Sequence, residues 1–367
     1  MAITRLGPNQ DITAAKIAGT ISFKNLIING DMSIAQRGTS QASISSAGYY
    51  TVDRFRTTIS SLGTWTQSQS TDVPTGQGFA NSLKMECTTA DASPSAADYL
   101  ILYHYVEAQN CQLLKFGTSN AESLTLSFWV KSNKTGILSQ NIRQVDGGKF
   151  INNSYTINSA NTWEKKTLNF VGNTTDIIDN DNGAGFQIEW WLDSGSNYRG
   201  GTPSSSWHTQ DNTDRNADST ISLADTIGNT WYITGIQLEA DTSASDFEFI
   251  PYDVNLQRCQ RYYQIFGSTA PTSCNMTNGM AYSANSSEVF CPTILPVVMR
   301  TGPSVTQNGT IAYRTPSGTT NVTLNSTAVS EKEVFMNFSG SFTSGEPGYI
   351  RNPDGSSSNY LEVDAEL

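Results

Sequence analysis

Histidine, basic clusters, paired cysteines and long apolar runs are all scarce in this chain, and each scarcity removes a class of function. Two histidines stand among 367 residues, so a site built on an imidazole base has only His104 and His208 to draw on. His104 lies in phase with Leu100, Leu102 and Val106, as a core or interface histidine would. His208 falls in the polar stretch SSSWHTQDNTD with no second histidine nearby. No G-x-S-x-G elbow is present, and no cysteine sits in a protease-like context. VDGGKF at 145 has a phosphate-loop look, but it lacks the distant glycine and the hydroxyl after Lys149, so it reads as a hairpin turn. Glu189 and Asp193 share one strand face, and nothing in the sequence brings them a partner acid for glycoside cleavage. The chain is expected not to be an enzyme.

Basic residues are outnumbered 22 to 33 by acidic ones, for a net charge of -11. That balance argues against the nucleic-acid backbone and against an anionic membrane surface as main partners. The five cysteines, Cys87, Cys111, Cys259, Cys274 and Cys291, are widely spaced with no C-x-x-C pair, and read as reduced, partly buried thiols. No segment is apolar enough to span a bilayer, and the N-terminal MAITRLGPNQDITAAKIAGT has no apolar signal core. Neither export by a cleaved signal nor membrane insertion is expected.

What the chain has in plenty is short alternation. NSLKMECTT at 81, YLILYHYVEA at 99, SLTLSFWVKS at 123, TWEKKTLNFV at 162, GFQIEWWLD at 185 and TWYITGIQLEA at 230 all switch between apolar and polar every second residue, with Gly, Asn, Asp and Ser between them. This pattern predicts an all-β fold. Residues 1–24 lack any period and read either as a disordered leader or as an arm that orders only against a partner protein, and 25–252 read as a jelly-roll β-sandwich. A linker helix is expected over 253–267, with Asp253 as its cap and Leu256, Cys259, Tyr262 or Tyr263, and Phe266 as its apolar stripe. Residues 268–367 resume strand texture as a second, smaller β-sandwich domain. There, Asn308-Gly309 is the best short hairpin signal in the chain.

Within this texture some aromatics are out of phase. Trp129 falls on the polar set of its strand with Ser127 and Lys131, and Trp191 on that of its strand with Glu189 and Asp193. With Trp207 in a loop, they predict an aromatic surface on two neighbouring strands. Trp129, Trp191, Trp207 and His208 are the candidate contacts to a sugar or to another subunit. The alternative is that long loops fold over these rings and make them core. DIIDNDNGAG at 176 offers Asp179 and Asp181 to a calcium ion, but it lacks the acid that closes an EF-hand loop, and a turn bonding its own backbone fits as well. No cofactor is expected.

The segments NLIINGDMSIAQRG at 25, YYTVDRFR at 49, SLTLSFWVKSNKTG at 123, NTWYITGIQLEADTSASDFEFIPYD at 229 and LQRCQRYYQIF at 256, in this order, resemble structural proteins of tailed bacteriophages, marine ones especially, known as tail fibres or other virion appendages. The resemblance implies a galactose-binding-like jelly roll, a short CQRYY helix and a C-terminal β domain ending near DAEL. It also implies a protein of the virion, assembled in the host cytoplasm, whose N-terminal arm docks to other virion proteins. A homo-oligomer is expected, a trimer above all, with host surface glycan as its outer partner. A capsid decoration or tail-collar subunit without glycan binding is the alternative, and a glycan depolymerase a further one.

Overall fold

Alternation becomes two antiparallel sheets in the computed structural model, which describes residues 23–267, 275–277 and 280–367. Apart from Phe23 and Lys24, the arm expected over 1–24 lies outside the described residues, as does Cys274. One sheet has six strands in the order β1 (Ser40–Ile44), β4 (Thr64–Ser70), β5 (Ser82–Thr89), β13 (Thr230–Glu239), β7 (Leu124–Ser132) and β10 (Glu164–Phe170). The other has seven: β12 (His208–Thr209), β9 (Lys149–Ile157), β8 (Gly136–Gln144), β11 (Ala184–Ser194), β6 (Tyr99–Glu107), β3 (Phe55–Ser60) and β2 (Gly48–Tyr49). Their inward sets share one core, in which Phe128 of β7 meets Trp190 of β11 edge-on at 6.1 Å and Trp231 Nε1 donates to the Tyr155 hydroxyl at 3.1 Å. Sheet packed on sheet is the sandwich that the alternation predicted. The DGGK turn joins β8 to β9 as expected, Gln144 opposite Lys149, with Gly148 at φ +58°.

The helix is shorter than its apolar stripe suggested. Helix α1 spans Tyr252–Gln260, with Pro251 rather than Asp253 at its cap position. Tyr263–Phe266 instead form β14, paired antiparallel with β22 (Tyr360–Asp364). With β17 (Ser304–Asn308) these make a three-stranded sheet. Beside it, β15 (Ala281–Ser283), β16 (Glu288–Ile294), β20 (Glu333–Ser339), β19 (Gly318–Val329), β18 (Ile311–Thr315) and β21 (Pro347–Arg351) close into a barrel with its own apolar core. The smaller C-terminal unit is thus all-β, its strands wrapped rather than stacked. No helix among the described residues is long and apolar enough to cross a membrane.

Asn308-Gly309 does not make a hairpin. The strand before it pairs with β22 and the strand after it with β19 and β21, so the turn is a corner between sheet and barrel. Gly309 takes φ +64° there, and a Cβ would lie 2.2 Å from Asn359 Oδ1. Gly309→Ala is expected to destabilise the C-terminal unit by about 1–3 kcal/mol, read from its urea midpoint. An unchanged midpoint would show that the corner relaxes freely.

The junction between the units is ionic and aromatic. Glu107, at the end of β6, is fully buried and receives Arg261 Nε at 2.7 Å, Arg261 Nη2 at 2.8 Å and the Tyr262 hydroxyl. Burial opposes its ionisation, but these donors outweigh it and hold the carboxyl below the usual range. Arg37 and Arg54 also reach from the first unit to Asp364, the last residue of β22, and to Glu366 just after it. The four described cysteines, Cys87, Cys111, Cys259 and Cys291, are free and buried.

Candidate functional site

A cross-strand ladder on the outer face of the six-stranded sheet answers why Trp129 sits among polar residues. Strand alternation sends Trp129 and Lys131 of β7 outward, and pairing sets Trp129 beside Lys165 of β10 and Thr234 of β13. One step along, Lys131 stands opposite Tyr232, which stands opposite Lys84 of β5. Trp163, just before β10, adds a third ring, 6.1 Å from Tyr232 and inclined at 68°. Lys131 Nζ lies 4.5 Å from the Tyr232 centroid and 5.4 Å from that of Trp163, within cation–π range. Asp72 binds Lys131 and accepts from Trp163 Nε1 at 2.9 Å, while Lys84 pairs with Glu86 at 2.6 Å. Partial burial works against both charges, yet their partners prevail: the Asp72 carboxyl is shifted down and the Lys84 ammonium up.

All three residues are half-buried. The ladder therefore offers apolar faces, two ammonium groups and two carboxylates within one patch. Such a surface can stack a flat apolar face and hydrogen-bond a hydroxyl-rich rim. It contains no nucleophile–base pair. Trp163 and Tyr232 were missed by the sequence reading, although Tyr232 shows the same anomaly as Trp129, alternating with Thr230 and Thr234.

Trp191 requires a correction. It lies on the other sheet, so β7 and β11 are not neighbours and the two indoles face opposite sides of the sandwich. Segment 195–224 of the same chain folds over Trp191, which is fully buried. Tyr198 packs at 5.2 Å, the Arg215 guanidinium lies 4.8 Å above the ring, and the indole N–H donates to Glu189 Oε2 at 2.8 Å. Arg215 also pairs with Glu189 at 2.7 Å and reaches the Tyr103 hydroxyl at 3.0 Å. This closed network is core on the outside of a sheet.

His208 lies on the same covered face. Its Nε2 is 2.9 Å from Asn152 Oδ1 and 3.4 Å from Asp214 Oδ2, and its ring meets Phe150. Arg215 lies over that same Phe150 ring at 5.7 Å, so Phe150 joins His208 to the network around Trp191. Trp207 belongs to a third place, stacked on Phe186 at 6.3 Å and against Phe116 at 5.6 Å, with its N–H on the Val171 carbonyl. The four candidates therefore do not form one site, and Trp129 alone stays with the open ladder. His104 is fully buried against Phe55, and burial together with Arg54 and Arg258 pushes its pKa well down, so it is neutral. Asp181 Oδ1 accepts the Gly183 N–H at 2.8 Å, the bonding of a turn, while the Asp179 N–H donates to Asp146 of the β8–β9 turn at 3.0 Å. Among the described residues no three His, Cys, Asp or Glu groups converge on a metal position.

No family model matches the chain, and no curated protein matches it. Among solved structures, the enzymatically active domain of tailspike protein 4 from bacteriophage CBA120 aligns with 59% of this chain and 21% of that one, at 14% identity and a TM-score of 0.31. The chain therefore spans about a fifth of that tailspike structure. A family 4 carbohydrate-binding module aligns with 58% of this chain and 98% of its own, at 14% identity and a TM-score of 0.29. The tandem family 22 modules of Paenibacillus barcinonensis Xyn10C align with 94% of this chain and 97% of theirs, at 10% identity and a TM-score of 0.29. Likenesses of this depth assign no ligand or role, and the all-β jelly-roll architecture stands on the chain's own sheets.

Proposed function

We propose that this chain is an appendage protein of a tailed-phage virion, a tail fibre above all, that attaches by its N-terminal arm and contacts host surface glycan with its jelly-roll unit. The observation that carries the glycan contact is the ladder of Trp163, Lys131, Tyr232 and Lys84 with Trp129 one step away. Sugar rings present apolar C–H faces and a rim of hydroxyls, and this patch supplies a counterpart to each. The resemblance of five segments to phage appendage proteins supports the virion role, and repetition around an oligomer axis would raise a weak single contact to useful avidity. The role is binding, not catalysis.

The test is adsorption of the full chain to host cells and to their purified envelope glycan. If each indole contributes about 1 kcal/mol, the double variant W129A/W163A is expected to bind roughly 30-fold more weakly while melting like the wild type. Unchanged adsorption would overturn the assignment to this face. A second reading, a structural subunit with no glycan contact, draws on the outer wall of the barrel. There Tyr282, Phe335 and Ile294 are 47%, 39% and 68% exposed, and Phe290 bridges the first two at 5.7 and 5.4 Å. That reading gains if F335A abolishes oligomerisation and the glycan never adsorbs.

A further inference from the structure

A separate cleft of about 400 Å³ opens where α1 meets the turn after β6, walled by Phe23, Asn110, Leu113, Arg258, Arg261 and Tyr262. Its size falls at the lower end of small-ligand sites. Its two arginines are not equivalent. Arg261 is spent on Glu107 in a two-pronged pair. Arg258 has no carboxylate within salt-bridge distance among the described residues. Its one hydrogen bond there is a long one, Nη2 to the Asn25 carbonyl at 3.5 Å. Glu248, the acid that acts on it from nearby, is itself taken by the backbone N–H groups of Phe23 and Asn25. Burial pushes the Arg258 pKa down, the mark of a cation held without adequate compensation.

Around that charge the remaining walls are mixed. The Phe23 ring stands 5.5 Å from the guanidinium and is 51% exposed, and Leu113, also 51% exposed, lines the same cleft. The Asn110 side chain is exposed at the mouth. One anion, one apolar ring face and a few hydroxyls would satisfy all of these groups together. We infer that this cleft binds a carboxylate-bearing pyranose, a uronic acid or comparable acidic unit of a glycan, with its carboxylate on Arg258 and its ring against Phe23. This deepens the glycan reading and rests on it. The wider field of a chain with net charge -11 repels polyanions, so selection of the acidic unit falls to this local pairing.

The test titrates the full chain with digalacturonate and with its neutral counterpart, digalactose, and sets an acidic acetylated peptide beside them. Digalacturonate should bind at least about tenfold more tightly than digalactose, the worth of one charge-assisted pair. R258Q should remove that preference while leaving the affinity for digalactose unchanged, and R258K should restore part of it. L113D, at a half-exposed position in the cleft wall, should also remove it, because a second carboxylate then faces the first. Equal affinity for acidic and neutral sugars, or a preference that survives both R258Q and L113D, overturns the inference while leaving the glycan reading intact. Tighter binding of the acidic peptide than of digalacturonate, lost in R258Q, would make this a peptide site and overturn it as well. Failure of the wild type to adsorb any glycan sinks the broader reading instead.

Discussion

Replacing Glu366 by Gln is expected to lower the stability of this protein by about 3–5 kcal/mol, because it leaves a buried arginine without its counter-charge. The Arg54 side chain is 0% exposed and that of Glu366 5%. Arg54 lies 3.3 Å over the Tyr262 ring and donates Nη2 to the Tyr105 carbonyl at 2.8 Å, but neither contact supplies negative charge. Burial works against its ionisation, and Glu366, followed by Tyr262 and Tyr49, together outweigh it, so the Arg54 pKa stands above its ordinary value. Arg37 adds a second stake, with Nη1 at 3.4 Å from Glu366 and Nη2 at 3.0 Å from Asp364. Urea unfolding followed by tryptophan fluorescence would show the loss, with E331Q, at an exposed turn, shifting the midpoint by less than about 0.5 kcal/mol. The double variant R54M/E366M should recover most of the stability, since removing both charges leaves nothing unpaired. A cost below about 1 kcal/mol for E366Q would mean that water reaches Arg54 and the two units part readily.

Trp191→Ala should cost about 3–5 kcal/mol, in the range of large aromatic deletions from a core, whereas Trp129→Ala should cost less than about 1 kcal/mol. The two residues have the same strand environment in sequence and opposite fates in space. Truncation at 191 empties the space under Tyr198 and Arg215 and takes a donor from the buried Glu189 carboxylate. At 129 the ring is half-exposed and its loss is a matter of binding surface. Thermal melts of the two variants decide the point. If W191A melts no lower than W129A, segment 195–224 does not hold its closed position in solution.

This pair also marks where sequence reading stops. Alternation over Leu124–Val130 and Phe186–Leu192 identified strands and their inward faces correctly, because that information is local. Whether an outward ring stays outside depends on residues such as Tyr198 and Arg215, and whether two strands adjoin depends on pairing across the whole sandwich. Both are decided by distant chain. The same limit explains the helix. Cys259, Tyr262 and Phe266 keep a helical spacing, but Tyr263–Phe266 gain a partner strand nearly a hundred residues later, and ladder bonding overrides a short apolar stripe. Asn308-Gly309 supplied its positive-φ corner as its residues dictate, and only the destination of the following strand was hidden. Of the candidate site, Trp129 was legible and Tyr232 could have been. Arg258 was not, since a lone arginine on a polar helix face carries no mark of the cleft it lines.

The Arg54–Glu366 pairing sets a timetable for biogenesis. The two residues are 312 positions apart, so at ribosomal speeds the arginine emerges roughly 15–60 s before its acid exists. From the completion of β13 (Thr230–Glu239) until the acid is made, the jelly roll has an unneutralised cation at its base and an empty seat for the DAEL segment, so its final packing waits on the translation of the C-terminal unit.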